Sequence, residues 1–166
     1  YLTKNDLKSI EIAKKFNIKC FALSFTNDHH DVIKFKKILP NCRRIFKIES
    51  KKGLKNFKKI IQSGDEFLID RGDLSKETSI FRIPINQRKI IYEANKKKKK
   101  IYVATNFLET MIEKPYPTRA EVNDIYSSLE MGANGLVLAA ETAIGKYPKE
   151  CVYYLQKIIA EFRKKK

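Results

Sequence analysis

The sequence predicts an α/β fold in which five short parallel strands alternate with helices. Short runs of apolar or alternating residues stand at Cys20 to Phe25, Arg44 to Glu49, Glu66 to Asp70, Ile101 to Ala104 and Gly135 to Ala139. Each is too short for a stable helix and is flanked by polar residues, glycine or proline, as strands are. Between successive runs lies enough chain for a crossover helix, which parallel pairing requires and a hairpin does not. The 166 residues suffice for one domain with a sizeable core. Periodicity leaves open whether the sheet is open or belongs to a closed barrel.

The elements follow in order. Thr3-Lys4-Asn5-Asp6 reads as a capping box with aspartate in the glutamate position, and Leu7, Ile10, Ile12, Ala13 and Phe16 recur at roughly helical spacing. A first helix from Lys4 to Asn17 is expected, then a buried strand over Cys20 to Phe25. Val32, Phe35, Ile38 and Leu39 form the next helix, which stops at Pro40. After the second strand, Gly53 is expected to open a helix with Leu54, Phe57, Ile60 and Ile61 on one face, and Gly64 to close it. The third strand is followed by a longer connection from Asp73 to a helix between Pro84 and Asn95. Beyond the fourth strand, Asn106 to Pro117 reads as a short helical turn and a proline-bounded loop. Thr118-Arg119-Ala120-Glu121 is a full capping box for a helix ending at Gly132, and Pro148 sits where a last helix tolerates proline.

Hydrophobic residues make up 43% and charged residues 33%, a balance that excludes a disordered chain. No apolar run approaches a membrane span and no leader pattern is visible, so the expected location is the cytoplasm. A start at Tyr1 rather than methionine suggests a piece of a longer protein. Cys20, Cys42 and Cys151 are scattered, without Cys-x-x-Cys or histidine at ligand spacing, which argues against a disulfide framework or a zinc site and for a reducing compartment. Asp28-His29-His30-Asp31 has the composition of a metal cluster but reads as a polar loop and first helical turn capped by Asp28. The net charge of +16 raises nucleic acid as a partner. The lysines, however, are spread over every expected helix, and the aromatics follow apolar patterns instead of forming a stacking surface. The run Lys96 to Lys100 complements a helix C-terminus. The reading is a basic surface that attracts anionic metabolites, with no specific nucleic-acid site.

Two stretches carry chemistry. In Ile45-Phe46-Lys47-Ile48-Glu49, strand alternation puts Lys47 and Glu49 on one face while Phe46 and Ile48 pack behind. Phe67 to Asp70 is an apolar strand that runs into Arg71-Gly72-Asp73, bringing a second carboxylate and a glycine to the mouth of the neighbouring strand. Glu49 and Asp73 can hold a hard divalent cation, Lys47 can neutralise an anionic oxygen, and Gly72 lets backbone N–H groups approach a phosphate. Glu49, Asp73, Thr105 and Glu141 all fall at or just past strand C-termini, the edge where parallel α/β folds bind ligands. Any one of them alone would be assigned to capping a turn; together on one rim they point to a site for phosphoryl chemistry.

Lys47-Ile48-Glu49, Arg71-Gly72-Asp73-Leu74, Ala104-Thr105, Glu109 with Met111-Ile112 and Lys114-Pro115, Pro117-Thr118-Arg119-Ala120-Glu121, and Glu141-Thr142-Ala143 through Tyr147-Pro148 stand in an order and spacing that resemble pyruvate kinase. The resemblance covers nearly the whole chain. It implies a partial (β/α)8 TIM barrel, the fourth to eighth strands of that family's catalytic domain, with residues 1 to 166 as a single segment. The lid domain, the regulatory domain and the first barrel strands lie outside it.

The resemblance also implies an activity: phosphoryl transfer from phosphoenolpyruvate to ADP. Glu49 and Asp73 would be ligands of Mg2+ or Mn2+, and Lys47 the catalytic cation. Gly72 and Asp73 would bind the substrate carboxylate, and Thr105 would bind substrate and order proton delivery. K+ would be bound by residues outside this chain, the missing barrel half would be supplied in cis or in trans, and the parent would be a homo-oligomer. Where the family usually carries Ser-Gly before Glu-Thr-Ala, this chain has Ala139-Ala140. The segment alone is expected to have little turnover. Two alternatives stand beside this reading: a partner-dependent half-barrel that binds an anionic metabolite or subunit without catalysis, and a metal-dependent lyase or aldolase acting on a pyruvate enolate.

Overall fold

The computed structural model of the chain describes residues 2–165; Tyr1, on which the expectation of an upstream segment rests, lies outside them. Helix α1 (Lys4–Lys15) leads to β1 (Cys20–Leu23), α2 (His29–Ile38), β2 (Arg43–Ile48), α3 (Lys51–Ser63) and β3 (Glu66–Asp70). Then come α4 (Arg71–Glu77), a 3-10 turn (Ile80–Arg82), α5 (Ile83–Lys96) and β4 (Lys100–Ala104). A second 3-10 turn (Glu109–Ile112), α6 (Arg119–Glu130), β5 (Gly135–Val137), α7 (Ala140–Ala143) and α8 (Pro148–Lys164) complete the chain. Among the described residues no helix is long and apolar enough to cross a membrane.

The five strands pair in sequential order, β1-β2-β3-β4-β5, and every pair is parallel. A doubly wound sheet reverses its strand order at a switch point, and this one does not. Sequential winding with a helix after each strand is the arrangement of part of a (β/α)8 barrel, which settles the question that periodicity left open.

Alternation divides each strand between two faces. Phe46 and Ile48 of β2, Phe67 and Ile69 of β3, and Ile101 and Val103 of β4 are all buried on the helix-covered face. Phe35 of α2 stands edge-on to Phe46 at 6.0 Å, and Phe46 lies 6.1 Å from Phe67. Gly64, which the sequence assigned to a helix end, has an ordinary extended backbone. Glycine is needed there because a Cβ would lie 2.5 Å from the Phe67 ring. The register Lys47↔Leu68 and Asp70↔Ala104 sets Lys47, Leu68, Asp70 and Ala104 on the opposite, inner face. At the far end of that face Arg43 donates to Glu66 and Tyr102, and Tyr102 donates to Glu66 at 2.8 Å.

The helix caps agree with the sequence at Thr3, Asp28 and Thr118, each closing a reciprocal box with the residue three positions on. Four expectations are corrected. Helix α3 opens at Lys51, because the Ser50 hydroxyl accepts from the Gly53 amide and starts the helix two residues early. The connection after Asp73 is itself helical: Asp70 caps α4, and Leu74 alone of its residues is buried. The first strand ends at Leu23 and is not a buried one; Cys20 and Ala22 are exposed, because β1 is an edge strand whose inner face nothing covers among the described residues. The last strand ends at Val137, where Glu141 draws the chain into α7. On α1 only Ile10 is buried among the described residues, and Ile12 is 47% exposed; the helix packs little surface against the rest of the fold, and its Lys14 donates to the carbonyl of Ile38 at the end of α2.

Candidate active site

The chemistry-bearing residues meet at the C-terminal rim of β2, β3 and β4. Phe46 and Ile48 anchor β2 in the core, so Lys47 and the following Glu49 are turned to the inner face. The Lys47 ammonium stands 2.9 Å from Glu49 Oε2 and 3.1 Å from Asp70 Oδ2. Burial alone would push the Lys47 ammonium down. The ion pairs with Glu49 and Asp70 outweigh that and hold it above its ordinary value.

Glu49 is fully buried. Its Oε1 accepts from the Phe25 amide at 2.6 Å, pinning the turn after β1, where Phe25 adopts φ +49°. Its Oε2 accepts no hydrogen bond of acceptable geometry among the described residues and is paired in charge with Lys47. Glu49, Asp70 and Asp73 each present a carboxylate oxygen, and these oxygens lie within 4.8 Å of one another. A buried, under-satisfied oxygen in an all-carboxylate set fits a hard cation such as Mg2+ or Mn2+, and not a soft metal. Asp73, in the first turn of α4, is the most exposed of the three and also pairs with Lys76 at 2.9 Å.

Thr105 borders the carboxylates. Its hydroxyl accepts from the Gly72 amide at 2.7 Å and sits 3.4 Å from Asp70 Oδ1. The Gly72 N–H, read from the sequence as open to a ligand, is therefore engaged by Thr105. The Thr105 backbone has φ +73°, a region costly for a β-branched residue. Its carbonyl is held by the Arg71 guanidinium, which donates from Nε at 3.0 Å and from Nη2 at 2.5 Å. Arg71 also pairs with Asp124 at 2.6 Å and stacks over Phe107.

Glu141 shares the rim but not the carboxylate group. Buried at the start of α7, it accepts from the amides of Phe107, Leu108 and Ala139 and ties the loop after β4 to the chain after β5. Small clefts open along this rim, one of about 120 Å³ beside Thr105 and Glu141 and a larger one of about 460 Å³ beyond the β1 edge. The larger one lies beside Ala22, Phe25 and Lys52, against the uncovered edge strand, and holds none of the three carboxylates.

The structure thus brings Lys47, Glu49, Asp73, Gly72 and Thr105 to one place. It adds Asp70, which sequence reasoning treated as the end of a strand. Its signal was the same alternation that found Lys47: Glu66, Leu68 and Asp70 share a face, and the last of them sits at the rim.

Comparison with known proteins places the chain in a family. Residues 1–152 match the family model for the pyruvate kinase barrel domain. The chain is 40% identical over 168 residues to the pyruvate kinase of Thermotoga maritima, an alignment that takes in 99% of this chain and 36% of that relative. It is 41% identical over 161 residues to the pyruvate kinase of Methanocaldococcus jannaschii, covering 95% of this chain and 36% of the relative. It is 38% identical over 155 residues to the chloroplastic pyruvate kinase isozyme G of Nicotiana tabacum, covering 91% and 28%. The chain thus spans little more than a third of the length of the first two relatives. With the barrel-domain match over residues 1–152 and the sequential parallel sheet in agreement, the chain belongs to the pyruvate kinase family, as part of its barrel domain.

Proposed function

We propose that this chain supplies one wall of a site that transfers the phosphoryl group of phosphoenolpyruvate to ADP, giving pyruvate and ATP. The observation that carries the reading is the Lys47 ammonium, held on the inner rim between the carboxylates of Glu49 and Asp70 in a chain of this family.

Phosphoryl transfer asks little covalent chemistry of a protein and much electrostatics. Lys47 stays protonated in its carboxylate surroundings and presents a fixed positive charge to the oxygens of the moving phosphoryl group. Glu49 and Asp73 would hold Mg2+ or Mn2+, which when bound supplies Lewis-acid polarisation of the substrate oxygens. The amides of Gly72 and Asp73, at the first turn of α4, would receive the substrate carboxylate, with the Gly72 amide exchanging its Thr105 partner for the ligand. The Thr105 hydroxyl, with an acceptor position opened by that exchange and on a backbone that Arg71 holds through the Thr105 carbonyl, would order proton delivery to the product carbon. Ala139-Ala140 offers no side-chain hydroxyl to this relay.

K+ and much of the nucleotide site would come from barrel strands outside this chain, in cis or in trans, within a homo-oligomeric parent. The exposed inner-face residues Cys20 and Ala22 of β1 and Val137 of β5, which nothing covers among the described residues, support that division. The chain alone is accordingly expected to turn over little. The test is a graft of residues 2–165 in place of the matching segment of the Thermotoga maritima relative, assayed for pyruvate through lactate dehydrogenase with Mg2+, K+, phosphoenolpyruvate and ADP. Pyruvate formation that depends on both ADP and the divalent cation supports the reading. A folded graft that makes none contradicts it.

A further inference from the structure

The group of three clustered carboxylates holds one more than the proposed chemistry uses. Asp70 is 9% exposed, faces the inner side of β3, and sets Oδ2 at 3.1 Å from Lys47. Its Oδ1 receives only long contacts, at 3.4 Å from the Asp73 amide and 3.4 Å from the Thr105 hydroxyl. A helix cap needs no second buried anion beside Glu49, and an ion pair with Lys47 needs only one of them. Placing two carboxylates this close carries a repulsive cost that a cation between them removes.

Resting on the reading that Glu49 and Asp73 receive a divalent cation, we propose that Asp70 is a third carboxylate ligand of that cation, and that it lets the chain bind the metal before any anionic substrate arrives. Charge balance favours this order. Glu49, Asp70 and Asp73 with Lys47 sum to two negative charges, which one divalent cation neutralises; without Asp70 a single negative charge remains and an anionic substrate would have to complete the site. The geometry agrees, since Asp70 lies in the same group of oxygens as the other two and the neighbouring Glu49 Oε2 is buried without a hydrogen bond. Oxygen-only ligand sets of this kind suit Mg2+ and Mn2+.

The test is a Mn2+ titration of the chain with no substrate present, following free Mn2+ by electron paramagnetic resonance. Circular dichroism confirms that each variant is folded. Asp70→Asn retains a good capping side chain for α4 while removing the charge, and is expected to weaken Mn2+ binding at least tenfold. Glu49→Gln and Asp73→Asn are expected to weaken it as well. If Asp70→Asn binds within twofold of the unsubstituted chain while the other two variants lose affinity, the inference falls and the proposed metal site stands. If all three substitutions leave binding unchanged, both fall. If the unsubstituted chain binds no Mn2+ without substrate, the metal-first order is refuted, and the site of the proposed function would be one completed by substrate.

Discussion

Lys47 lies 2.9 Å from Glu49, whose side chain is entirely removed from solvent. A buried carboxylate is tolerated only with compensation, and here that compensation comes from Lys47 together with the Phe25 amide. Lys47→Met should therefore destabilise the fold by about 3 kcal/mol, chiefly through the charge it strands. Adding Glu49→Gln, which keeps an acceptor for Phe25, should recover most of that loss. Urea unfolding of the two single variants and the double variant measures the coupling. Strictly additive effects would show that the pair does not interact.

Arg71 maintains the Thr105 backbone at φ +73° by two hydrogen bonds to its carbonyl. Arg71→Met removes both, along with the Asp124 ion pair, and should cost about 2 kcal/mol. The loss should be local first, with faster amide hydrogen exchange from Thr105 to Leu108 while β2 and β3 remain protected. Uniformly raised exchange across the sheet would mean that Arg71 acts on the whole fold and not on this loop.

Glu141 meets three amide donors, so both of its oxygens are needed. Glu141→Gln replaces one oxygen with an NH2 group that cannot accept, facing an N–H with a donor. A cost of about 2 kcal/mol is expected despite the near-identical shape. A variant melting at the same temperature as the unsubstituted chain would contradict the assignment.

The acid limb of stability should depend on Asp65. Partial burial pushes its carboxyl up, but Lys36 and Arg44 outweigh that and hold it below its ordinary 3.8. A depressed carboxylate stabilises the fold fully above its unfolded pKa, and the contribution disappears as pH falls through the lower folded value. Asp65→Asn should thus cost about 1 kcal/mol near neutrality, the modest figure of a part-exposed pair. The gap should close as the pH falls below the ordinary carboxylate range and through the lower folded value. A difference independent of pH would mean that packing, not charge, is responsible.

Much of this was legible in the sequence. The alternation of Phe46, Lys47, Ile48 and Glu49 fixes both the core face and the reactive face of β2, because a strand has only two sides. Strand C-termini gather Glu49, Asp73 and Thr105 by topology alone. Helix α4 was not legible, since Arg71 to Glu77 buries only Leu74 and so shows no apolar stripe. The divergent fates of Glu49, Asp73 and Glu141 were hidden for a different reason: all three are rim carboxylates in sequence, and only the fold reveals that Glu141 faces three backbone amides instead of its fellow acids. The exposure of Ile12 on α1 and of Phe16 at its C-cap was equally out of reach, because helical spacing tells which residues align and not whether anything lies opposite.

The most direct measurement is the rate of pyruvate formation by the Thermotoga maritima graft carrying Lys47→Met, set beside the graft with Lys47 intact. Loss of the fixed positive charge at the phosphoryl group should lower turnover by roughly a thousandfold or more while the protein stays folded. Turnover within tenfold of the intact graft would remove Lys47 from the chemistry, and with it the account of this rim as a phosphoryl-transfer site.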